Sequence, residues 1–284
     1  MKFAVLHING TSRVAIVENG SPTTLLPREA RDMMDVISNP DLQTAAREPL
    51  QGFFSLAAPI AKPQRNIFCV GKNYRDHAQE FSKSGFDSSA DAGEIPDAPI
   101  LFSKVPETVI GPNAPIMFDP SVSVAIDYEG ELALMIGTGG RRISRTNAMK
   151  HVWGYTILND VTARDVQARH KQWLMGKSFD TFCPMGPWAV TADELDLADT
   201  TLRTWVNGEL RQNANTRDLI FDVPTIIEEL SAGITLKPGD IIATGTPAGV
   251  GIGFKPPRYL RDGDVVAIEI TGLGRLQNAL KALV

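Results

Sequence analysis

Short apolar runs, separated by turn residues, recur along most of the chain. Residues 3–8 and 13–18 are such runs and flank one Asn-Gly pair, and a second Asn-Gly pair follows at Asn19 and Gly20. Short apolar runs bounded by turn residues are typical of β-strands, and Asn-Gly between such runs is a strong signal for a hairpin turn. The pattern predicts that the chain begins as a β-meander.

Strand-like segments also dominate the rest of the chain, whereas helical signals are fewer. The clearest helix is residues 223–232, with Asp222 as N-cap, Pro224 in the first turn and Gly233 as the C′ residue. The later strand-like segments are residues 99–102, 124–136, 152–158, 187–191, 202–206, 209–212, 241–243 and 265–270. The sequence therefore predicts a β-dominated α+β protein.

The order of these signals divides the chain into two predicted domains. Residues 1–62 contain strand-like runs, a helical stretch at 27–38 and a connector that starts at 49, and we expect a small N-terminal α/β domain there. Residues 63–284 form the larger second domain. Within it, residues 82–99 are rich in Ser, Asp, Gly and Ala, a composition that predicts a mobile loop able to act as a lid.

Charge and composition exclude several classes of protein. The chain has 28 basic and 33 acidic residues, a net charge of −5 at pH 7, without the basic face that nucleic acid or anionic lipid would require. No apolar run approaches the roughly 20 residues needed to cross a bilayer. Cys69 and Cys183 are too few for a disulfide framework. The expectation is a cytoplasmic protein that binds neither nucleic acid nor membranes.

Four motifs for other chemistries are incomplete or absent. Residues 176–178 resemble the end of a phosphate-binding loop, but Lys171 stands where that loop needs a glycine. The glycines at 249, 251 and 253 precede two prolines, although a dinucleotide site needs a helix there. A Gly-x-Ser-x-Gly motif is absent, and the two cysteines lack the spacing of zinc ligands. Other acidic and basic residues must carry the chemistry.

Three acidic side chains are predicted to share one face of the strand at residues 124–136. Side chains two residues apart point to the same side of a strand, so Asp127, Glu129 and Glu131 lie opposite a row of apolar residues. Neighbouring buried carboxylates repel one another and need cations, protons or a metal ion. A solvent-exposed face would remove that need, so the strand alone leaves both interpretations open.

The position of Asp160 favours a metal site over a solvent-exposed face. It ends an apolar strand and precedes residues 162–165, which resemble a capping box and predict that a helix starts there. Together with Glu129 and Glu131, Asp160 would give an oxygen-only ligand set suited to Mg²⁺, with Mn²⁺ as the alternative ion. Asp127 competes for the third ligand position, and a cap or loop contact is the non-functional explanation of Asp160.

His77 and Glu80 form a candidate acid–base pair. They are three residues apart on a predicted short helix that directly precedes the lid-like loop, so their side chains can meet. A carboxylate that binds one imidazole nitrogen orients the ring and raises the basicity of the other nitrogen. The alternative is an ordinary ion pair on an exposed helix.

Further polar residues could bind a substrate. Arg164 and Gln167 share a helix face just after Asp160, and Lys177 lies before another strand. Thr246 lies in a glycine-rich loop whose backbone can approach a ligand closely. Each of these residues taken singly is more often an ordinary surface residue.

Taken together, these residues resemble the fumarylacetoacetate hydrolase family, from about residue 64 to residue 280. Five blocks occur in the family's order: residues 69–77, 127–133, 159–167, 176–180 and 244–251. The resemblance implies a rolled mixed β-sheet as the catalytic domain, usually in a homodimer. Residues 1–62 look like the variable N-terminal domain of bacterial members.

The resemblance also implies a role for each candidate residue. Glu129, Glu131 and Asp160 match the positions that hold the divalent ion, which removes Asp127 from the first choice of ligands. The other matched positions belong to the lid dyad (His77 and Glu80), the anion-stabilising groups (Arg164, Gln167 and Lys177), a contact to the substrate carboxylate (Thr246) and a basic position near the lid (Lys104). The lid-like segment 82–98 is longer and more polar than in the compact acylpyruvate-cleaving members.

The activity expected from this resemblance is hydrolytic cleavage of a carbon–carbon bond in an acylpyruvate-like 1,3-diketo acid. His77, held by Glu80, would take a proton from water, and Lys177 would stabilise the negative charge that develops. The same site could instead isomerise an unsaturated 2-oxo diacid or decarboxylate oxaloacetate, because a fold does not choose between these reactions. A noncatalytic protein that binds small oxo acids is the alternative from another class.

Overall fold

The computed structural model describes residues 1–82 and 96–283 and confirms a β-dominated α+β fold. The predicted lid segment therefore falls largely on residues outside the described ones. The strands are β1 Lys2–Ile8, β2 Thr11–Glu18, β3 Ser21–Leu25, β4 Glu48–Pro49, β5 Ser55–Ala57, β6 Ile67–Gly71, β7 Ile100–Lys104, β8 Val109–Ile110, β9 Ile116–Phe118, β10 Ile126–Asp127, β11 Gly130–Ile136, β12 Val152–Asn159, β13 Thr162–Ala163, β14 Cys183–Thr191, β15 Thr201–Val206, β16 Glu209–Asn215, β17 Ile241–Ala243, β18 Val265–Ile270 and β19 Gly274–Ala282. The helices are α1 Met33–Ser38, α2 Arg75–Ser82, α3 Arg164–His170, α4 Leu174–Lys177 and α5 Val223–Gly233.

These strands form a large mixed sheet and two smaller ones. The large sheet has the order β4-β3-β2-β1-β14-β12-β11-β17-β6-β7, and β5 and β8 pair beside it with β1 and β14. A five-stranded sheet has the order β16-β15-β18-β19-β9, and β10 and β13 form a two-stranded sheet. The strands β11 and β12 are central in the large sheet, and β11 is buried along its whole length. Side chains at the ends of these two strands are therefore held by a rigid, buried framework.

The Asn-Gly hairpins are confirmed. Asn9 and Gly10 have φ angles of 48° and 78°, and Asn19 and Gly20 have φ angles of 51° and 76°. Positive φ at both central residues is the geometry of the tight turn that matches the twist of two antiparallel strands. The first pair accordingly joins β1 to β2 with Ile8 opposite Thr11.

The first strand extends the large sheet. Lys2 pairs with Val190 and Phe3 with Ala189, so β1 lies directly beside β14. Phe3 is fully buried in an apolar cluster that also contains residues of β6, β11 and β17. The sheet and one apolar cluster thus run across the predicted domain boundary at residue 62, and the division into domains 1–62 and 63–284 remains a prediction.

Two helix ends differ from the sequence predictions. Asp222 caps α5 as predicted, because its carboxylate accepts a hydrogen bond from Thr225 N. Gly233, predicted as the C′ residue, is instead the last helical residue, since Ile234 N still donates to Leu230 O at 3.0 Å. The helical stretch predicted from residue 27 begins only at α1, because the Asp32 carboxylate caps the chain there.

The prediction of one strand over residues 124–136 was wrong. The segment is divided into β10, which pairs with β13, and β11, which pairs with β12 and β17. The break between β10 and β11 means that strand alternation does not place Asp127 beside the two glutamates. Its carboxylate accepts hydrogen bonds from Gly251 N and Ile252 N, a distant loop that no local pattern reveals.

The helix predicted to start within residues 162–165 is present as α3, but the predicted capping box was wrong. Thr162 lies in β13, where its hydroxyl donates to Asp160 O at 3.0 Å. Helix α3 starts at Arg164 with Ala163 as its N-cap and without a side-chain cap. Asp165 accepts instead from the Ser123 hydroxyl at 2.6 Å. Asp160 thus lies in the turn between β12 and β13 and not at a helix start.

Among the described residues, no helix has the length and apolar character needed to span a membrane.

Candidate active site

Three buried carboxylates converge where β11 begins and β12 ends. The two strands are antiparallel, with Gly130 opposite Asn159, so Glu129 and Glu131 lie beside Asp160. Each of the three offers an oxygen within 4.8 Å of the others, and their exposed fractions are 5%, 1% and 0%. The exposed-face interpretation therefore does not apply to this set. Three neighbouring carboxylate groups that are buried away from water need compensating positive charge.

Basic side chains supply part of that charge. Lys177 Nζ, at the end of α4, lies 2.8 Å from Glu129 Oε2 and 2.7 Å from Asp160 Oδ2. Lys104 Nζ, at the end of β7, lies 2.7 Å from Asp160 Oδ1 and also donates to two carbonyl oxygens. Arg164 Nη2 lies 2.6 Å from Glu129 Oε1. All three cations are buried, so these ion pairs are shielded from solvent.

The two glutamates differ in their pKa because their neighbours differ. Burial disfavours the charged form of Glu129, but Lys177 and Arg164 outweigh burial and lower its pKa to about 2. Burial raises the pKa of Glu131 well above its ordinary value, and the charges of Asp160 and Glu129 raise it further. Gly245 N is its hydrogen-bond donor, at 2.8 Å. Glu131 is thus the carboxylate whose charge the protein itself compensates least.

The donor set fits a divalent cation. Glu129, Glu131 and Asp160 offer only oxygen atoms, which Mg²⁺ and Mn²⁺ prefer. With Asp127 included, four buried carboxylates stand against four buried cations, so the charges balance if all are ionised; the cations are Lys72, Lys104, Arg164 and Lys177. A bound divalent ion would leave the site positive, which suits an anionic substrate. Glu129, Glu131 and Asp160 are close enough together for their oxygen atoms to bind one ion.

Asp127 lies outside the three-carboxylate set because its oxygens are already occupied. Arg164 Nε donates to Asp127 Oδ2 at 2.8 Å, and Gly251 N donates to Asp127 Oδ1 at 2.7 Å. Tyr128 N and Ile252 N also donate to this carboxylate. Asp127 thus joins the 251–252 loop to Arg164 and holds the guanidinium beside Glu129.

We expect Asp127→Asn to weaken the fold and to leave the metal site intact. The substitution removes one charge of a fully buried ion pair, and breaking such pairs costs about 3–5 kcal/mol. Chemical denaturation would measure the loss in the free energy of unfolding, and calorimetric titration with Mn²⁺ would measure metal affinity. A large loss of Mn²⁺ affinity in a variant that remains folded would return Asp127 to the ligand set.

The predicted dyad is present on α2. His77 Nδ1 lies 3.3 Å from Glu80 Oε2, and both side chains are largely buried. Glu80 also accepts hydrogen bonds from Gly249 N at 3.1 and 3.2 Å, so the dyad is anchored to the glycine-rich loop. A Cβ atom at Gly253 would lie 1.9 Å from Glu80 Oε1, so glycine is required for this close approach. Glu80 thus orients the imidazole ring through Nδ1, and Nε2 is the nitrogen that could exchange a proton with a substrate.

One cavity brings most of the candidate residues together. His77, Glu129, Arg164, Gln167, Lys177 and Thr246 all line it. Glu80, Lys104, Glu131 and Asp160 are not part of its lining. Glu80 contacts His77, Lys104 contacts Asp160, and Glu131 and Asp160 lie close to Glu129. The Thr246 hydroxyl donates to Gly130 O at 3.0 Å and accepts from Gln212 Nε2 at 2.7 Å, which fixes its orientation.

Several residues around this cavity carried no sequence signal. Gln212, a single glutamine in β16, binds Gly130 N, Thr246 and Pro247 O, and so joins the start of β11 to the glycine-rich loop. Phe102 and Trp173 also line the cavity and appear in the sequence as ordinary apolar residues. Phe81 could have been suspected, because it follows His77 by four residues and so shares its helix face.

Comparison with known proteins identifies the family. Residues 66–281 match the model described as fumarylacetoacetate (FAA) hydrolase, C-terminal. The chain belongs to the fumarylacetoacetate hydrolase family. The resemblance inferred from the five sequence blocks is thus confirmed, and the protein is an enzyme of this family. Its buried Glu-Glu-Asp set is consistent with the divalent metal site of such enzymes.

Named members of the fumarylacetoacetate hydrolase family are similar over most of the chain. Oxaloacetate tautomerase YisK of Bacillus subtilis is 52% identical over 226 residues, which cover 79% of this chain and 72% of that protein. The mitochondrial oxaloacetate tautomerase fahd2 of Xenopus laevis is 45% identical over 227 residues, with coverages of 79% and 67%. The solved structure of a fumarylacetoacetate hydrolase from Exiguobacterium antarcticum has a TM-score of 0.85 and 45% identity, with full coverage of both chains.

Proposed function

We propose that this protein is a divalent-metal-dependent oxaloacetate tautomerase, which interconverts the enol and keto forms of this four-carbon 2-oxo diacid. The observation that carries the choice of reaction is the 52% identity to an oxaloacetate tautomerase over 79% of the chain. The geometry supports enol chemistry in general, because His77, Glu129, Arg164 and Lys177 line one cavity. Glu80 contacts His77, and Glu131 and Asp160 lie close to Glu129. The isomerase alternative is thus better supported than the hydrolase expectation.

Tautomerisation transfers protons without breaking a carbon–carbon bond. In the enol-to-keto direction the enol hydroxyl loses a proton and carbon 3 gains one, so water is neither added nor lost. Negative charge develops on the substrate oxygen between these transfers. The site must therefore stabilise an oxyanion and hold a group that can carry a proton.

The side chains at the cavity divide these tasks. Arg164 and Lys177 are buried cations that can donate hydrogen bonds to a substrate oxyanion, and Gln167 lies 3.2 Å from Arg164 Nη1 through its Oε1. His77 can carry the proton because Glu80 engages Nδ1 and leaves Nε2 available. Glu129, Glu131 and Asp160 would hold the metal ion, here proposed as Mg²⁺ or Mn²⁺. When bound, the ion would supply positive charge against the charge that develops on the substrate.

Hydrolysis of an acylpyruvate-like substrate is the second candidate. It is favoured by the 45% identity and TM-score of 0.85 to a fumarylacetoacetate hydrolase. An imidazole oriented by a carboxylate is equally suited to taking a proton from water. The two candidates use the same residues and differ in whether water attacks the substrate.

A homodimer is also proposed from family membership, and sedimentation of the active enzyme would test it.

The informative experiment is a panel of substrates assayed with Mg²⁺, with Mn²⁺ and after chelation. We expect decay of the enol form of oxaloacetate to be accelerated at least ~100-fold over the chelated enzyme. Release of pyruvate would report decarboxylation, and loss of acylpyruvate absorbance would report hydrolysis. Faster turnover of acylpyruvates than of oxaloacetate would replace the proposal with the hydrolase. Metal-dependent binding of oxaloacetate without turnover of any substrate would indicate a noncatalytic binder.

A further inference from the structure

Three aromatic side chains, here called the aromatic wall, line the cavity: Phe81, Phe102 and Trp173. The Trp173 ring lies 5.2 Å from Phe102 and 6.0 Å from Phe81 between centroids, with edge-to-face angles of 67° and 72°. Such contacts stabilise the relative positions of aromatic rings. The three rings thus form one continuous apolar surface, and Trp173 is its central member.

The wall lies against the cationic groups of the site. Lys177 Nζ is 4.9 Å from the centroid of Phe102, and Arg164 Cζ is 5.8 Å from that of Phe81. A substrate that meets Arg164 and Lys177 therefore lies next to the wall. The cavity has a volume of only about 10 Å³, close to the room that one water molecule needs, so even a four-carbon acid enters only when lining side chains shift. The space next to the wall is scarce.

Trp173 is tied to Lys177 through the backbone. Its carbonyl accepts a hydrogen bond from Lys177 N at 3.1 Å, which ties it to the short helix α4. On the other side, a Cβ atom added at Gly71 would lie 2.5 Å from the indole Cζ3 atom, so the indole packs directly on the backbone at the end of β6. Phe81, in contrast, belongs to α2 and follows any movement of that helix.

We propose that Trp173 limits the size of the substrate and restricts the site to compact 2-oxo acids with little bulk at carbon 3. The proposal rests on the proposed function, because it takes the polar groups as the anchor of the oxo-acid end. A pocket that lacks room for extra methylene groups discriminates against them by about 10–200-fold each. Shortening Trp173 would open the gap between Gly71 and Phe102 and relax this discrimination.

The test compares oxaloacetate with 3-methyl- and 3-propyl-oxaloacetate, which can all enolise. For wild type we expect kcat/KM to fall steeply with the length of the 3-substituent. For Trp173→Ala we expect the ratio of kcat/KM for the propyl homologue to that for oxaloacetate to rise at least ~10-fold, and for Trp173→Phe to rise less. Met175→Ala is the matched control, because Met175 lies on α4 and is 50% exposed.

The measured quantity is the ratio of kcat/KM for the propyl homologue to kcat/KM for oxaloacetate. A general loss of activity lowers both values and leaves this ratio unchanged. An unchanged ratio in both Trp173 variants, or an equal rise in Met175→Ala, would overturn the proposal. Calorimetric binding of the same three acids to the Mg²⁺-loaded enzyme gives the ratio independently of turnover. If wild type binds the acids but turns over none, the proposed function fails, and the binding ratio still decides the role of Trp173.

Discussion

Glu131→Ala is expected to abolish both metal binding and turnover. Loss of a residue that merely supports a metal ligand costs 10–100-fold in affinity, so we expect loss of a direct ligand to lower Mn²⁺ affinity by at least ~100-fold. Calorimetric titration with Mn²⁺ and the enol-decay assay would measure the two effects. The fold should persist, because Glu131 is a buried carboxyl whose charge Asp160 and Glu129 oppose.

The isosteric variant Glu131→Gln separates shape from charge. It keeps an oxygen that can accept the hydrogen bond from Gly245 N. We expect it to unfold at the same temperature as wild type or higher in the absence of metal, because a repelled carboxyl has been removed, and still to bind Mn²⁺ poorly. Wild-type Mn²⁺ affinity in both Glu131 variants would remove this residue from the metal site.

His77→Ala is expected to remove turnover and to retain metal binding. Loss of a positioned acid–base group costs typically 10²–10⁴-fold in rate, whereas no carboxylate of the metal set is altered. Glu80→Gln should have a smaller effect on the rate, because the ring remains but loses its carboxylate partner. His170→Ala on α3 is the matched control, since His170 is exposed.

The two residues are distinguished by comparing the effects. Glu131→Ala should lose affinity and rate together, and His77→Ala should lose rate alone. Equal Mn²⁺ affinity in the two variants would contradict the roles assigned to them. An unchanged enol-decay rate in His77→Ala would remove the dyad from the tautomerase reaction and leave the cations and the metal site to account for it.

Local sequence patterns predicted the elements whose contacts are local. The Asn-Gly pairs set the hairpins, because only a few residue types adopt two successive positive φ angles. Asp222 set the start of α5 through its own hydrogen bond to Thr225 N. The prediction of one strand over residues 124–136 failed because the Asp127 carboxylate accepts hydrogen bonds from Gly251 N and Ile252 N, more than 120 residues away. Alternation of residue types cannot show such a contact.

The candidate site follows the same division. Glu129 and Glu131 were paired by strand spacing, and the convergence of Asp160 follows from β11 pairing with β12. Lys104 and Gln212 come from other strands, and a single lysine or glutamine in a strand carries no signal of its partners. The roles of the matched residues came from resemblance to a family, and they remain predictions until the variants are measured.

The most direct test of the account is to locate Mn²⁺ by its anomalous scattering in crystals of the protein. The account predicts one strong peak within coordination distance of Glu129, Glu131 and Asp160, and its loss in crystals of Glu131→Ala. The absence of a peak at these carboxylates in wild type, with Lys177 still paired to both Glu129 and Asp160 at saturating Mn²⁺, would contradict it.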